Sequence, residues 1–103
     1  MTDLPGNVEI HQIVVRNISE ALLAPPEKVI LTARLLSDLA AESIDVADIR
    51  FRLEHEFAMK LDHKGMIDSL GTNLSAEEFD RRFTVQFICD HVERQLAVQK
   101  GLS

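Results

Sequence analysis

Several side chains in this sequence could take part in catalysis or metal binding, and the histidines and the single cysteine are the first candidates. The histidines lie at positions 11, 55, 63 and 91. No two have the four-residue spacing that would pair them on one helical face, and Cys89 and His91 would point to different sides of a helix. A zinc site needs three or four convergent protein ligands. The pattern therefore predicts no metal site and indicates solvated surface histidines.

Nucleophilic catalysis is not indicated either. No serine lies in a Gly-x-Ser-x-Gly sequence, which forms the nucleophile turn of many hydrolases. Cys89 is surrounded by Phe87, Ile88 and Val92, so we expect it to be an inert buried thiol. The sequence has neither a phosphate-binding loop nor a glycine-rich dinucleotide motif. We therefore predict that the protein is not an enzyme.

Ser43 differs from the other polar candidates in its setting. It opens the best amphipathic helix of the chain, in which Val46, Ile49, Leu53 and Phe57 recur at three- and four-residue steps. Serine is a good N-cap, and two aspartates follow early, where carboxylates complement the helix dipole. A capping role would by itself explain this serine, and the bare tripeptide Glu-Ser-Ile carries almost no information.

The first half of the chain contains one clear helix and one ambiguous segment. A helical period starts at about Val8, with Asn7 as its N-cap, and Pro25-Pro26 ends the helix. Leucines at positions 31, 35, 36 and 39 then have helical spacing. Taken locally, this spacing favours a helix over 31–40, although the segment 27–42 as a whole stays ambiguous.

The second half of the chain is expected to contain a short helical turn and one long helix. Gly65 and Gly71 bracket a short helical turn over 66–70, and Ser75-Ala-Glu-Glu forms a capping box. Alternating apolar residues from position 83 to 89 would allow a strand. A four-residue apolar period, however, continues for about twenty residues without a turn residue, which predicts one helix over 76–99. The fold class is therefore all-α, a small bundle of three main helices and a short one.

Length, composition and charge restrict the possible functions further. The 103 residues suffice for one domain, expected at 8–98 with flexible termini at 1–7 and 99–103. A net charge of −6 without a basic cluster argues against nucleic-acid binding. The single cysteine allows no internal disulfide, and no apolar stretch approaches the ~20 residues that span a bilayer. We expect a cytoplasmic monomer.

Four segments together resemble the acyl carrier protein family. Residues 35–45 lie where that family has a leucine, then Asp-Leu-Gly and Asp-Ser-Leu, and residues 49–57 resemble its second helix. Thr84-Val85-Gln86 and the apolar positions after it resemble its last helix, and Pro25-Pro26-Glu27 its first loop junction. The resemblance covers about residues 8–98 and implies an acyl-carrier-like bundle with a long ordered loop between the first and second helices.

The resemblance also implies a function for Ser43. This serine matches the position that carries a covalent 4′-phosphopantetheine arm, on which the family holds acyl groups as thioesters in fatty acid or lipid biosynthesis. The expected partners are a phosphopantetheinyl transferase and acyl synthases or transferases with basic patches. Residues 37–62, with seven acids and three bases, have a net charge of −4 that could steer such partners. The residues expected to be read by partners are Glu42, Ile44, Asp45, Asp48, Glu54 and Glu56.

The sequence departs from the family pattern at a few positions and leaves alternatives open. Glu42, Ile44 and Ala40 replace the usual Asp, Leu and Gly next to the attachment serine. The stretch 61–82 is longer than an ordinary fatty-acid carrier needs, and it resembles the specialised carriers of very long acyl chains for lipid A. It could shape a larger acyl cavity or simply add core. The alternative functions are a peptidyl or aminoacyl carrier, and a helical interaction module without a prosthetic group.

Overall fold

The structure is a computed structural model that describes residues 6–101. Within this range it is helical, without strands, which confirms the predicted all-α class. Five α-helices follow one another: α1 (Asn7–Leu22), α2 (Ser43–Phe57), α3 (His63–Leu70), α4 (Ala76–Arg82) and α5 (Val85–Gln99). A 3-10 turn (Pro26–Lys28) follows α1. The helices extend one residue beyond each end of the predicted domain 8–98, and residues 1–5 and 102–103 of the predicted flexible termini lie outside the described residues.

Helix α1 begins one residue earlier than expected. Asn7 was predicted as its cap, but Gly6 occupies the cap position with an extended backbone, and Asn7 is the first helical residue. The Gly6 N–H donates to the carboxylate of Glu9 at 3.5 Å, so the early acidic residue satisfies one of the free donors at the helix start. The helix ends at Leu22, and its C-cap Leu23 has a left-handed backbone (φ 54°), two residues before the Pro25-Pro26 stop.

The segment between α1 and α2 is a long ordered loop, as the family resemblance implied, and the local expectation of a helix over 31–40 is wrong. Some of its backbone hydrogen bonds stay within the loop, and others run across the fold to the junction of α4 and α5. The N–H of Leu35 donates to Phe83 O at 3.0 Å, and the N–H of Val85 donates to Ala33 O at 3.0 Å. Leu35 is completely buried, so the helical spacing of the leucines reflects their anchoring in the core.

The predicted continuous helix over 76–99 is wrong, because the chain breaks between α4 and α5. Phe83 and Thr84 leave the helical conformation, and Thr84 becomes the N-cap of α5, its hydroxyl accepting from the Phe87 N–H at 3.1 Å. The break frees the backbone of Phe83 and Val85 to bond the loop. Backbone hydrogen bonds to a loop almost fifty residues earlier in the chain therefore override a helical sequence pattern that contains no turn residue.

The two short helices have the caps that their sequences offer. Ser75 caps α4 as predicted, since its hydroxyl accepts from the Glu78 N–H at 3.1 Å. Asp62 caps α3 by accepting from the Gly65 N–H at 2.9 Å. Because of this cap, α3 starts at His63 and is longer than the turn expected over 66–70.

One aliphatic core joins these elements. The predicted apolar face of α2 is confirmed, since all four of its residues are buried, and α1 packs closely against both α2 and α5. Helix α4 contributes only the half-buried Phe79. The main buried side chains are Ile10, Val14, Ile18, Leu35, Val46, Ile49, Leu53, Phe57, Leu61, Met66, Leu70, Phe83, Val85, Ile88, Val92 and Leu96. This packing leaves the N-terminus of α2 at the surface.

Candidate functional site at the start of helix α2

Ser43 is the first residue of α2, and its side chain is exposed. The expected role of Ser43 as N-cap is wrong, because Glu42 holds the cap position with an extended backbone. The Glu42 N–H donates to the carboxylate of Asp45 at 2.9 Å, which fixes the start of the helix without the serine. The Ser43 hydroxyl has no hydrogen-bond partner among residues 6–101. The hydroxyl group is therefore not needed for the helix cap, and it is accessible to solvent.

The backbone at this helix start can stabilise an anion. The first helical hydrogen bond runs from the Val46 N–H to Glu42 O at 3.0 Å. The N–H groups of Ser43 and Ile44 precede it, so they have no partner within the helix, and the helix dipole adds partial positive charge at the same end. A phosphate ester on the Ser43 hydroxyl would lie in a favourable field.

An apolar groove of about 440 Å³ runs beside Ser43. It lies between the long loop, α2, α3 and α4. Its lining residues are Leu36, Ser43, Val46, His63, Ile67, Phe79 and Phe83. The long 61–82 stretch thus contributes His63, Ile67 and Phe79 to a surface that also carries Ser43. The sequence did not indicate His63 at this site, because only the tertiary fold places the start of α3 on the same groove as Ser43.

The six residues expected to be read by partners fall into two groups. Glu42, Ile44, Asp45 and Asp48 lie in the first two turns of α2 around Ser43, while Glu54 and Glu56 lie towards the far end of the helix. Ile44 is 74% exposed and lines a shallow depression with Phe51, which is 56% exposed. Phe51 was missed by the sequence analysis, although a large apolar residue outside the buried stripe is the signal that could have found it.

Most acids of α2 already have partners inside the fold. The carboxylate of Asp48 lies 3.2 Å from Arg52 Nε. Glu54 accepts from the Leu61 N–H at 2.7 Å and lies 3.8 Å from Arg50. Thus the acidic face is partly neutralised by arginines of the same chain.

The other chemical candidates are buried. Cys89 is completely buried, as expected, and burial raises the pKa of its thiol to about 12. His91 is only 3% exposed, so the expectation of a solvated surface histidine is wrong for this residue. Its position on the inner face of α5 explains the difference, and burial lowers the pKa of its imidazole. Among residues 6–101, no three His, Cys, Asp or Glu side chains cluster in a way that could hold a metal ion.

Comparison with known proteins shows similarity over most of the chain. No protein-family model matches it. An acyl carrier protein of Thermosynechococcus vestitus is 29% identical over 89 residues, which cover 86% of this chain and 94% of the relative. An acyl carrier protein of Amoebophilus asiaticus is 28% identical over 89 residues, covering 86% of this chain and 95% of the relative. Within residues 6–101, no helix is long and apolar enough to cross a membrane. The chain is thus similar over most of its length to acyl carrier proteins, and its helical fold agrees with that similarity.

Proposed function

We propose that this protein carries acyl groups as thioesters on a 4′-phosphopantetheine arm attached to Ser43. The observation that carries the proposal is the exposed, unpartnered Ser43 hydroxyl at the first position of α2, beside an apolar groove. Proteins of this family are carriers, so the reactive group belongs to the arm and this chain contributes attachment, orientation and shelter. When attached, the arm supplies the thiol that holds the acyl group.

The residues around Ser43 fit such a group. The unbonded N–H groups of Ser43 and Ile44 favour the negative charge of a phosphodiester. The carboxylate of Asp45 is turned to the Glu42 N–H, so it is already engaged in the helix cap. The chain can therefore keep α2 intact while the serine oxygen is used for the attachment.

The groove beside Ser43 supports an acyl cargo rather than an aminoacyl one. Leu36, Val46, Ile67 and Phe79 give it apolar walls, against which a hydrocarbon chain would be withdrawn from water. A charged amino acid would gain nothing from these walls and would lose solvation. We propose that this groove takes the part of the chain next to the thioester.

The partners proposed for the start of α2 are a phosphopantetheinyl transferase and acyl synthases or transferases. Glu42, Asp45 and Asp48 would attract basic patches on these enzymes, and Ile44 would give an apolar contact. Glu54 and Glu56, which are farther from Ser43, would contribute to the same face. The pathway proposed is fatty acid or related lipid biosynthesis, and a cytoplasmic, monomeric state stays a prediction.

Intact mass spectrometry tests the attachment directly. The protein is incubated with coenzyme A and a broad-specificity phosphopantetheinyl transferase, and the modified peptide is mapped. We expect one added phosphopantetheine on Ser43, none in Ser43→Ala, and normal modification of Ser69→Ala, a matched exposed serine on α3. Addition at another serine, or undiminished addition in Ser43→Ala, would reject the site.

Loading experiments on the modified protein separate the carrier classes. Acyl-group and aminoacyl-group transfer to the arm are compared under the same conditions. Preferential acyl loading supports the proposal, whereas preferential aminoacyl loading supports a peptidyl carrier. Absence of any modification of a folded protein would indicate a helical interaction module.

A further inference from the structure

A second, internal cavity of about 10 Å³ lies in the core between α2 and α5. Most of its lining is aliphatic, from residues such as Val46, Leu53 and Met66. Two polar side chains interrupt this lining, Arg50 from α2 and His91 from α5. An arginine and a histidine facing one apolar cavity are unusual, since buried polar groups normally have hydrogen-bond partners.

Both side chains have a buried nitrogen without a partner. Arg50 Nε and His91 Nδ1 are inaccessible to solvent, and neither has a hydrogen-bond partner among residues 6–101. The rest of the guanidinium is held in place, since Nη1 donates to Leu61 O at 2.9 Å and the group lies 4.4 Å from the Phe51 ring centre. Leaving two buried nitrogens unpaired costs stability. The structure therefore offers two unused hydrogen-bonding groups to a ligand.

The internal cavity adjoins the groove at Ser43. Val46 and Phe83 line both spaces, so these two side chains form the wall between them. Arg50 lies seven residues after Ser43 on α2, which places it about 10 Å deeper along the helix axis at the usual rise per residue. A chain that entered the groove and displaced this wall would reach the two nitrogens.

Of the three helices that line the cavity, α2, α3 and α5, we take α3 as the one best able to shift. The closest packing between elements joins α1 with α2, with α5 and with the 3-10 turn, and α3 is not in this group. Met66 of α3 lines the cavity, and methionine adapts to irregular space. Its neighbour Ile67 lines the groove, so an outward shift of α3 would widen both spaces beside the Val46–Phe83 wall and leave the α1–α2 and α1–α5 packing in place.

We propose that Arg50 and His91 form an internal subsite for the hydroxyl group of a hydroxylated acyl chain. A hydroxyl oxygen can accept from Arg50 Nε–H. It can also donate to His91 Nδ1, or accept from it in the other tautomer, so one hydroxyl group has the donor and acceptor capacity that both residues need in either state. An oxo group lacks this freedom because it can only accept. The inference rests on the proposed function, since the chain is delivered by the arm on Ser43.

Thermal unfolding of loaded protein tests the subsite. Modified protein is loaded with two series of acyl chains of equal length, one unsubstituted and one with a single hydroxyl group at successive carbons. For hydroxyl positions that reach the subsite, we expect a Tm about 4–8 °C above that of the unsubstituted chain, the shift for one net hydrogen bond in a domain of this size. Hydroxyl groups at other positions should give a lower Tm than the unsubstituted chain.

His91→Phe is the diagnostic variant, because phenylalanine keeps the stacking on Phe87 (5.9 Å between ring centres) and removes Nδ1. It should abolish the difference between the series, while His55→Phe, at an exposed position of α2, should retain it. If the variant fails to fold, the imidazole nitrogen resonances of wild-type His91 provide the second readout. They should move with the hydroxylated chain and not with its unsubstituted counterpart.

Two results would overturn the subsite, and both differ from failure of the proposed function. One is that the two series have equal Tm values at every hydroxyl position. The other is that the His91 resonances do not change with the hydroxyl group. Either result would mean that the cavity holds an internal water only. An unmodified Ser43, seen in the mass spectrum before any loading, would instead reject the carrier function itself.

Discussion

The guanidinium of Arg16 on α1 donates a 2.9 Å hydrogen bond to the carboxylate of Glu56 on α2. This bond, with a weaker one from Asn17, holds the pKa of Glu56 below its ordinary value of 4.5. The pair connects the first two helices, so Glu56 contributes to the fold as well as to the charge of the surface. In contrast, Glu42 has no ion pair among residues 6–101 and lies directly beside Ser43.

Charge removal along α2 should therefore affect partner enzymes unequally. Glu42→Gln is expected to slow transfer of the arm by about two- to fivefold at low salt, the size of one exposed charge interaction. Glu56→Gln should have a smaller effect, because Glu56 lies about 20 Å along the axis from Ser43 and the Debye length is about 10 Å at 0.1 M. The transfer rate is measured as a function of salt. Identical, salt-independent rates would show that partners read mainly the apolar Ile44 and Phe51.

Acidification should destabilise the protein through His91. Burial first, and the charge of Arg94 second, lower the pKa of His91 below its ordinary 6.5 in the folded state. The unfolded chain then binds the extra proton, so the free energy of unfolding falls as pH drops below 6.5, by at most about 1.4 kcal/mol per pH unit. Urea unfolding between pH 7 and pH 5 measures this loss. His91→Phe should reduce it and His55→Phe should not, and an unchanged slope in His91→Phe would contradict the assignment.

The break between α4 and α5 predicts a stability role for Thr84. Its hydroxyl caps α5, so Thr84→Ala should cost about 1 kcal/mol, or about 4–8 °C in Tm. Thr84→Ser keeps the capping oxygen and should retain most of the stability. Thermal unfolding followed by circular dichroism compares the two. Equal Tm values for Thr84→Ala and the parent would mean that the loop hydrogen bonds, rather than the cap, hold the start of α5.

Cys89 should not react with thiol reagents in the folded protein. Its thiol is buried and its pKa is raised to about 12, so little thiolate exists near neutral pH. A colorimetric thiol titration should find no reactive group in the folded unmodified protein, one after attachment of the arm, and one more after unfolding in urea. Rapid reaction of the folded unmodified protein would show that α5 opens locally.

The groove at Ser43 predicts a dependence of stability on acyl chain length. Each buried methylene group should add up to about 0.8 kcal/mol until the groove is full, and a long series tests the likeness to carriers of very long chains. Ile67→Trp, which narrows the groove, should end the increase at a shorter chain, whereas Ile30→Trp, at an exposed loop position, should not. Stability that stays flat from the shortest chain onward would mean that the 61–82 stretch only adds core.

The features that the sequence determined by itself are local ones. The apolar stripe of α2 and the Ser75 cap depend on residues three or four apart, and each was found where it was predicted. The position of Ser43 at the start of α2 follows from the same pattern. The pattern did not show that Glu42, one residue earlier, takes the cap position in place of Ser43.

Tertiary structure decided everything that depends on partners far apart in the chain. The loop conformation and the break at Thr84 arise together, because backbone bonds such as Leu35 N–H to Phe83 O satisfy donors that a helix would otherwise satisfy locally. The position of His63 on the same groove as Ser43, and the burial of His91, depend on where the fold places α3 and α5. The periodicity of apolar residues indicates which side chains prefer the core. Which segments these side chains pack against is decided only by the fold of the whole chain.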